Sequence, residues 1–294
     1  VTAHPSAVRA ETIHGAVIIP AHNEEHVIVR TLDGLAPLAA SGTVDIVVVC
    51  NGCTDDTAAV ARRYPGVTVI ETDIPSKPAA MNLGDRTATR WPRLYLDGDI
   101  GIDASAVAAV FAELSREDGP LASRPQSVVD ASDSTFLVRA YYRARARIPE
   151  TGTRLWGAGG YAVSKLGHER FSAFPDVTAD DSFVDGLFTE SEKTVVPSVP
   201  MVVRAPRTST ALLGVLTRHR RGHVELKGQS ETRSRVLGLI AGVRSLPSAV
   251  DAFAYAGLTA VARLRSRRRV GLGTSAWESD RSTRIAGSPV RADR

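Results

Sequence analysis

Two acidic stretches hold the side chains best suited to chemistry. In Leu94-Tyr95-Leu96-Asp97-Gly98-Asp99-Ile100 an apolar run ends in two carboxylates that flank a glycine. Leu94, Tyr95 and Leu96 favour an interior, where a carboxylate is costly unless it is paired or bound to a cation. The run therefore reads as a buried strand that delivers Asp97 and Asp99 to the C-terminal edge of a sheet, where open α/β sheets bind ligands. Hard oxygen donors suit Mg²⁺ or Mn²⁺ carrying a phosphate, and Gly98 removes a side chain so that a ligand could come close. Asp-Gly-Asp also occurs in ordinary turns. An EF-hand is excluded, because the sixth and twelfth positions from Asp97 are Ile102 and Ala108 rather than Gly and Glu.

The second stretch is Ala179-Asp180-Asp181-Ser182, two adjacent carboxylates before an apolar-periodic helix. Helix capping and the helix dipole would favour them there without any catalytic role. Between the two stretches stands Trp156-Gly157-Ala158-Gly159-Gly160, whose glycines allow a tight turn or close approach to a ligand. Cys50 and Cys53 are the chain's two cysteines, so a four-cysteine zinc site is impossible within it, and both read as small turn or core residues.

These side chains must be positioned by regular elements. Apolar runs at 16–20, 45–49, 67–70 and 94–96 read as strands, separated by helical patterns after Asn23, after Thr57 and over 79–88. That alternation is the signature of a mostly parallel sheet covered by helices on both faces. A chain of 294 residues at 43% apolar content can build one large α/β domain or two small ones. The formal charge of +4 is unevenly spread, with basic clusters at Arg218-His219-Arg220-Arg221 and from Arg263 to Arg269. Such clusters suit a phosphate-bearing ligand or an anionic membrane surface. Nucleic acid is disfavoured, since no nucleic-acid motif or interleaved aromatics accompany them.

Four segments together resemble family 2 glycosyltransferases, which have the GT-A fold. They are Val17-Ile18-Ile19-Pro20-Ala21-His22-Asn23-Glu24, Val47 to Thr57, Ser76-Lys77-Pro78-Ala79-Ala80-Met81-Asn82 and Leu96-Asp97-Gly98-Asp99. They occur in the family's order, each at a strand end. The resemblance implies a Rossmann-like central sheet, a nucleotide-diphosphate sugar as donor, a divalent metal (Mn²⁺ or Mg²⁺) and a hydroxyl-bearing acceptor. Pro20, Ala21, His22, Asn23 and Glu24 would line the nucleoside pocket. Asn51 stands where the family usually has a base-reading aspartate, and offers a donor as well as an acceptor. Lys77 and Asn82 would lie beside the diphosphate or ribose, Asp97 beside the ribose or the metal's shell, and Asp99 on the metal. Asp181 would be the catalytic base, with Asp180 in the position of the family's glutamate. Trp156, Gly159 and Gly160 would lie on the acceptor side. Arg218 and Arg221 would close over the diphosphate, with His219 a further candidate metal ligand. The tryptophan of the processive members' Gln-x-x-Arg-Trp segment is absent, which removes support for processive synthesis.

This reading divides the chain into an N-terminal extension (1–14), a donor-binding half (15–103) and an acceptor and catalytic half of the same domain (104–235). A C-terminal amphipathic helical segment (236–270) and a flexible tail (271–294), with Trp277 as its one docking candidate, complete it. In the second half a helix is expected at 104–114 and another at 136–148, where Arg143, Arg145 and Arg147 face solvent or an acceptor phosphate. Two strands are expected at 194–196 and 199–203. Charges and Pro247 interrupt 237–264, so a membrane-spanning helix is disfavoured and a helix packed on the domain or lying on a membrane fits better. Val1 to His14 shows no long apolar run, and the expected location is the cytoplasm, with contact at the inner face of a membrane. Two alternatives are a sugar nucleotidyltransferase, disfavoured because residues 20–24 contain no glycine, and a non-catalytic nucleotide-sugar binding module.

Overall fold

The computed structural model describes residues 13–149, 152–177, 179–225 and 232–268. Nearly all of the expected N-terminal extension, the whole tail with Trp277, and the side chains of His219 and Arg221 lie outside the described residues.

The first half runs β1 (Gly15–Ala21), α1 (Ile28–Ser41), β2 (Val44–Asn51), α2 (Thr57–Ala61), β3 (Val67–Thr72), α3 (Lys77–Thr87) and β4 (Arg93–Leu96). β1 pairs in parallel with β2 from Gly15↔Val44 to Ala21↔Cys50 and with β4 from Ala16↔Arg93 to Ile18↔Tyr95, while β3 adds outside β2. Alternate side chains feed two cores. Val17 and Ile19 of β1 and Ile46 and Val48 of β2 pack with Ile28, Leu32 and Leu35 of α1 on one face. Ile18, Val47 and Val49 pack with Ala80 and Met81 of α3 on the other. Burial on both faces is why these strands read as unbroken apolar runs. α3 begins at Ser76, whose Oγ accepts the Ala79 N–H at 3.3 Å, with Pro78 in the first turn where its missing N–H is harmless.

The second half comprises α4 (Ala104–Leu114), β5 (Ala122–Asp130), α5 (Phe136–Ala146), β6 (Gly160–Val163), α6 (Lys165–His168), α7 (Asp180–Asp185), β7 (Lys193–Arg204), α8 (Ser209–Glu225), α9 (Thr232–Ala241) and α10 (Leu246–Arg268). β6 inserts antiparallel between β4 and β5, and β7 runs parallel to β5, which gives a seven-stranded sheet in the order β3-β2-β1-β4-β6-β5-β7. The sheet is thus parallel through its first four strands and mixed beyond them.

Three features of this half differ from the sequence reading. β5 carries Arg124 and Pro125, which hide it as a strand; the buried Arg124 guanidinium is bound by the carbonyls of Arg154 and Pro125. The two strands expected at 194–203 are one, because an irregularity in the β5–β7 pairing absorbs the prolines: Pro125 faces Val196, and Ser127 already faces Met201. Arg143, Arg145 and Arg147 are all exposed, but Arg143 of α5 and Arg147 at its C-terminal cap also bind Asp251 of α10, at 2.7 and 2.8 Å, a contact the sequence pattern did not show. Around that contact Val138, Tyr141, Leu212 and Tyr255 form a third core joining α5, α8 and α10.

Candidate active site

From β1 the chain turns towards β2 and β3, then returns to place β4 on the other side of β1. The C-terminal ends of β1 and β4 therefore mark the topological switch point, the crevice where such sheets take ligands. Pro20 stands beyond the last β1–β4 pair, so its missing N–H breaks no bond of that ladder.

The loops after β1 and β2 are tied together. Asn23 adopts left-handed backbone (φ 54°), and its Oδ1 accepts the Thr54 N–H at 2.7 Å. Thr57 Oγ1 accepts the Glu24 N–H at 2.8 Å, and Asp55 accepts the Glu25 N–H at 3.2 Å. His22 Nδ1 lies 2.6 Å from the Asn51 carbonyl. The Asn51 carboxamide is fully buried, and neither its Oδ1 nor its Nδ2 has a hydrogen-bond partner among the described residues. A buried polar group left that way costs about 1–3 kcal/mol.

The acidic turn after β4 is held from two sides. Thr31 of α1 donates to the carbonyls of Gly98 (2.9 Å) and Ile100 (2.7 Å), and the Arg30 guanidinium donates to the carbonyl of Asp99. From the other half, the Gly159 carbonyl accepts the Asp97 N–H at 2.8 Å. Gly98 plays a different part from the expected one. A Cβ there would lie 2.0 Å from Glu24 Oε2, so the space it leaves is taken by the buried Glu24 side chain and not held open for a ligand. Gly159 has φ +78°, and its Cβ would fall 2.3 Å from Ile100 Cδ1, so the glycine-rich segment packs directly under the acidic turn.

Lys77 joins the two acidic stretches. Its Nζ lies 2.7 Å from Asp97 Oδ1 and 2.9 Å from Asp180 Oδ1. Burial alone would lower this ammonium, but the Asp180 and Asp97 carboxylates reverse the effect and hold it above the usual lysine value. Asp180 is 3% exposed and accepts the Tyr161 hydroxyl at 3.0 Å. Burial pushes its carboxyl up, Lys77 opposes that, and the neighbouring Asp181 and Asp97 charges add to the rise. Asp181, next in the chain, is only half-buried; its Oδ2 accepts the Gly157 N–H at 2.8 Å and its Oδ1 the Ser182 N–H at 2.7 Å. One neighbour is thus locked into an ion pair and the other is oriented by backbone donors.

Asp97 and Asp99 present hard oxygens from one turn. Among the described residues no group of three His, Cys, Asp or Glu side chains could enclose a metal ion. That donor set fits a cation that completes its shell with phosphate oxygens and water, the usual manner of Mg²⁺.

Other expected residues lie elsewhere or serve the scaffold. Asn82 donates to the Phe174 carbonyl at 2.9 Å and accepts the Phe174 N–H at 2.8 Å, so its carboxamide anchors that segment on α3 instead of serving a diphosphate. Trp156 stacks its ring 5.2 Å from the Arg154 guanidinium, and Arg218 lies on α8, which packs against α10 and α5. Arg30, Thr31 and Tyr161 escaped the sequence reading, although they hold the acidic turn and Asp180. A hollow of about 290 Å³ at the opposite end of β2, between Gly42, Val44, Thr89 and Arg90, holds no comparable cluster, and Asp45 there is paired with Arg90.

Residues 16–154 match the family model described as glycosyl transferase family 2. No curated protein matches the sequence. Among solved structures, the chain is similar to a mannosyltransferase from Pyrobaculum calidifontis in complex with GDP-Man and Mn²⁺, with TM-score 0.54 and 19% identity over 89% of this chain and 76% of that one. It is also similar to glucosyl-3-phosphoglycerate synthase from Mycobacterium tuberculosis in complex with Mn²⁺, UDP and glucosyl-3-phosphoglycerate, with TM-score 0.52 and 18% identity over 79% and 88% of the two chains. The same enzyme with Mn²⁺, UDP-Glc and phosphoglyceric acid gives TM-score 0.51 and 19% identity over 74% and 81%. The match removes the nucleotidyltransferase alternative. Residues 16–154, nearly half of the chain, are thus those of a glycosyl transferase family 2 sequence, and the chain carries the GT-A fold of the similar structures.

Proposed function

We propose that this glycosyltransferase is inverting and metal-dependent, and moves a sugar from a nucleotide-diphosphate sugar to a hydroxyl on a cell-surface glycan, a lipid-linked acceptor or a small molecule. The observation that carries the reading is the Asp97–Lys77–Asp180 bridge, which brings the turn after β4 and the acidic pair of α7 to one point over the switch point. Residues 15–103 then hold the donor, and 104–235 supply the acceptor side. The unpartnered Asn51 carboxamide meets the nucleobase, with His22 and Glu24 beside it.

Asp181 is the general base. Its carboxylate is half-buried and oriented by the Gly157 N–H, and it takes the proton of the acceptor hydroxyl. The acceptor oxygen bonds to the anomeric carbon from the face opposite the donor phosphate, the carbon–phosphate oxygen bond breaks, and configuration inverts. The transition state is oxocarbenium-like, by analogy with glycoside hydrolysis. Asp180 is a positioning residue, because its oxygens are engaged by Lys77 and Tyr161. Lys77, kept protonated by its two carboxylates, offers positive charge to the departing diphosphate. Asp99 and Asp97 would hold the cation, Mn²⁺ or Mg²⁺; when bound it supplies charge neutralisation and Lewis-acid polarisation of the diphosphate. Mn²⁺ accompanies the nucleotide ligand in the similar structures, which supports this choice. The enzyme works in the cytoplasm with its basic C-terminal segment at the inner face of a membrane.

The test is a thermal-shift panel of UDP-, GDP-, CDP- and dTDP-sugars with and without Mn²⁺ or Mg²⁺, followed by an assay for released nucleoside diphosphate. A donor at about 100 times its Kd stabilises by about 2.7 kcal/mol, so one metal-dependent hit is expected. A panel without any hit would overturn the reading.

A further inference from the structure

α10 is amphipathic the wrong way round. The face it turns to α5 and α8 carries Ser248, Asp251, Tyr255, Ala262 and Ser266, all buried. The outward face carries Leu246 (85% exposed), Val250, Phe253 (79%), Val261 and Leu264, with Gly257 between them. These positions recur at steps of three and four, so they form one stripe along the helix, roughly 27 Å long at 1.5 Å per residue. α9 leads into it with Leu237 and Ile240 also exposed. Large contiguous apolar surface of this kind marks an interaction site.

The charges say what the stripe meets. The one acidic residue of α10, Asp251, is buried and bound to Arg143 and Arg147. Arg244 precedes the stripe and Arg265 closes it, both exposed. A second copy of the chain would bring cations against cations whether the helices met parallel or antiparallel. An anionic lipid surface accepts both ends and the apolar centre together. No helix among the described residues is long and apolar enough to cross a membrane, so the stripe would lie along the surface.

We infer that α10 is an interfacial helix whose outward stripe enters the headgroup layer of a bilayer rich in anionic lipid, flanked by arginines on the headgroups. The inference rests on the membrane contact in the proposed function and names the surface that makes it.

The full chain is sedimented with vesicles of phosphatidylglycerol or phosphatidylcholine, as wild type, as Leu246→Asp/Phe253→Asp and as Arg244→Glu/Arg265→Glu. Binding to phosphatidylglycerol is expected, weaker binding to phosphatidylcholine, a loss of about tenfold or more in the apolar variant and about fivefold per reversed arginine. Circular dichroism and donor-induced thermal shift on the same samples should be unchanged, because these side chains are exposed and lie outside the proposed site. Absence of phosphatidylglycerol binding at low salt would overturn the inference, as would binding that ignores the apolar variant. So would a wild-type dimer that the apolar variant converts to monomer, since a second copy would then cover the stripe. Vesicle binding without any donor shift would leave this inference standing and remove the proposed function; the converse would do the opposite.

Discussion

The two halves of the molecule are held together by different means. In the first, strands buried on both faces end in loops fastened by backbone-directed bonds: Asn23 to Thr54, Thr57 to Glu24, Thr31 to the acidic turn. In the second, ion pairs do much of the joining, with Asp251 between Arg143 and Arg147, and Lys193 between Asp185 and Glu190. The difference suits a division of labour. On the proposed function, loops preorganised by buried bonds would present fixed groups to a charged donor, whereas an ion pair made by exposed arginines, such as those on Asp251, contributes little stability. The halves meet at Lys77 and at the Gly159–Asp97 bond, where the contrast can be broken or sharpened by substitution.

The largest effect is expected from Asp99→Ala. Arg30 and Thr31 hold the turn through backbone carbonyls, so the fold should survive while the metal-dependent part of donor affinity is lost. Calorimetric titration with and without Mn²⁺ decides it, and unchanged metal dependence would take Asp99 out of the site.

Next comes Lys77→Met, which leaves Asp180 buried without its cation. Removing one partner of a buried pair costs about 3–5 kcal/mol, and the quarter-exposed Lys77 side chain places this pair at the lower end. The pH dependence follows from the sign. Asp180 already has a raised carboxyl value in the fold, and losing Lys77 raises it further. The folded variant then binds a proton more tightly than the unfolded chain, so its deficit should shrink as pH falls from 7 through that raised value. Urea unfolding at several pH values tests this; a deficit that grows on acidification would contradict it.

The smallest effect concerns Cys53, beside Asn51 in the loop after β2. Hydrogen bonds from the Cys50 thiol and the Asn23 N–H hold it below the usual thiol value, while Cys50 itself is pushed up. Alkylation by iodoacetamide should therefore modify Cys53 with a midpoint below the ordinary thiol value, spare Cys50, and slow when donor is present. A midpoint at the ordinary thiol value, about 8.5, would contradict that arrangement.

The first half was legible because β1, β2 and β4 are continuous apolar runs that stop at polar turns, and those turns lie on one edge. The second half was less so for particular reasons. Arg124 and Pro125 conceal β5, whose arginine is satisfied by carbonyls far away in sequence. Pro197 and Pro200 split β7 on paper, but the β5–β7 irregularity accommodates them. Arg30 and Thr31 sit in an ordinary helical pattern and contact a turn about 70 residues away, which no local signal reports. The acidic pair of α7 was visible, yet the opposite environments of Asp180 and Asp181 arise only from folding, through Lys77 and Tyr161 on one side and Gly157 on the other.

That last contrast carries the central claim, that the second half supplies the base to a donor held by the first. Asp181→Asn keeps the shape and caps a helix about as well, but cannot take the acceptor's proton. With kcat, donor Kd and the unfolding midpoint measured on this one variant, turnover should fall by about 10²- to 10⁴-fold while donor affinity and midpoint stay close to wild type. A variant as active as wild type, with the midpoint unchanged, would show that Asp181 is only a helix-start residue and would contradict the account.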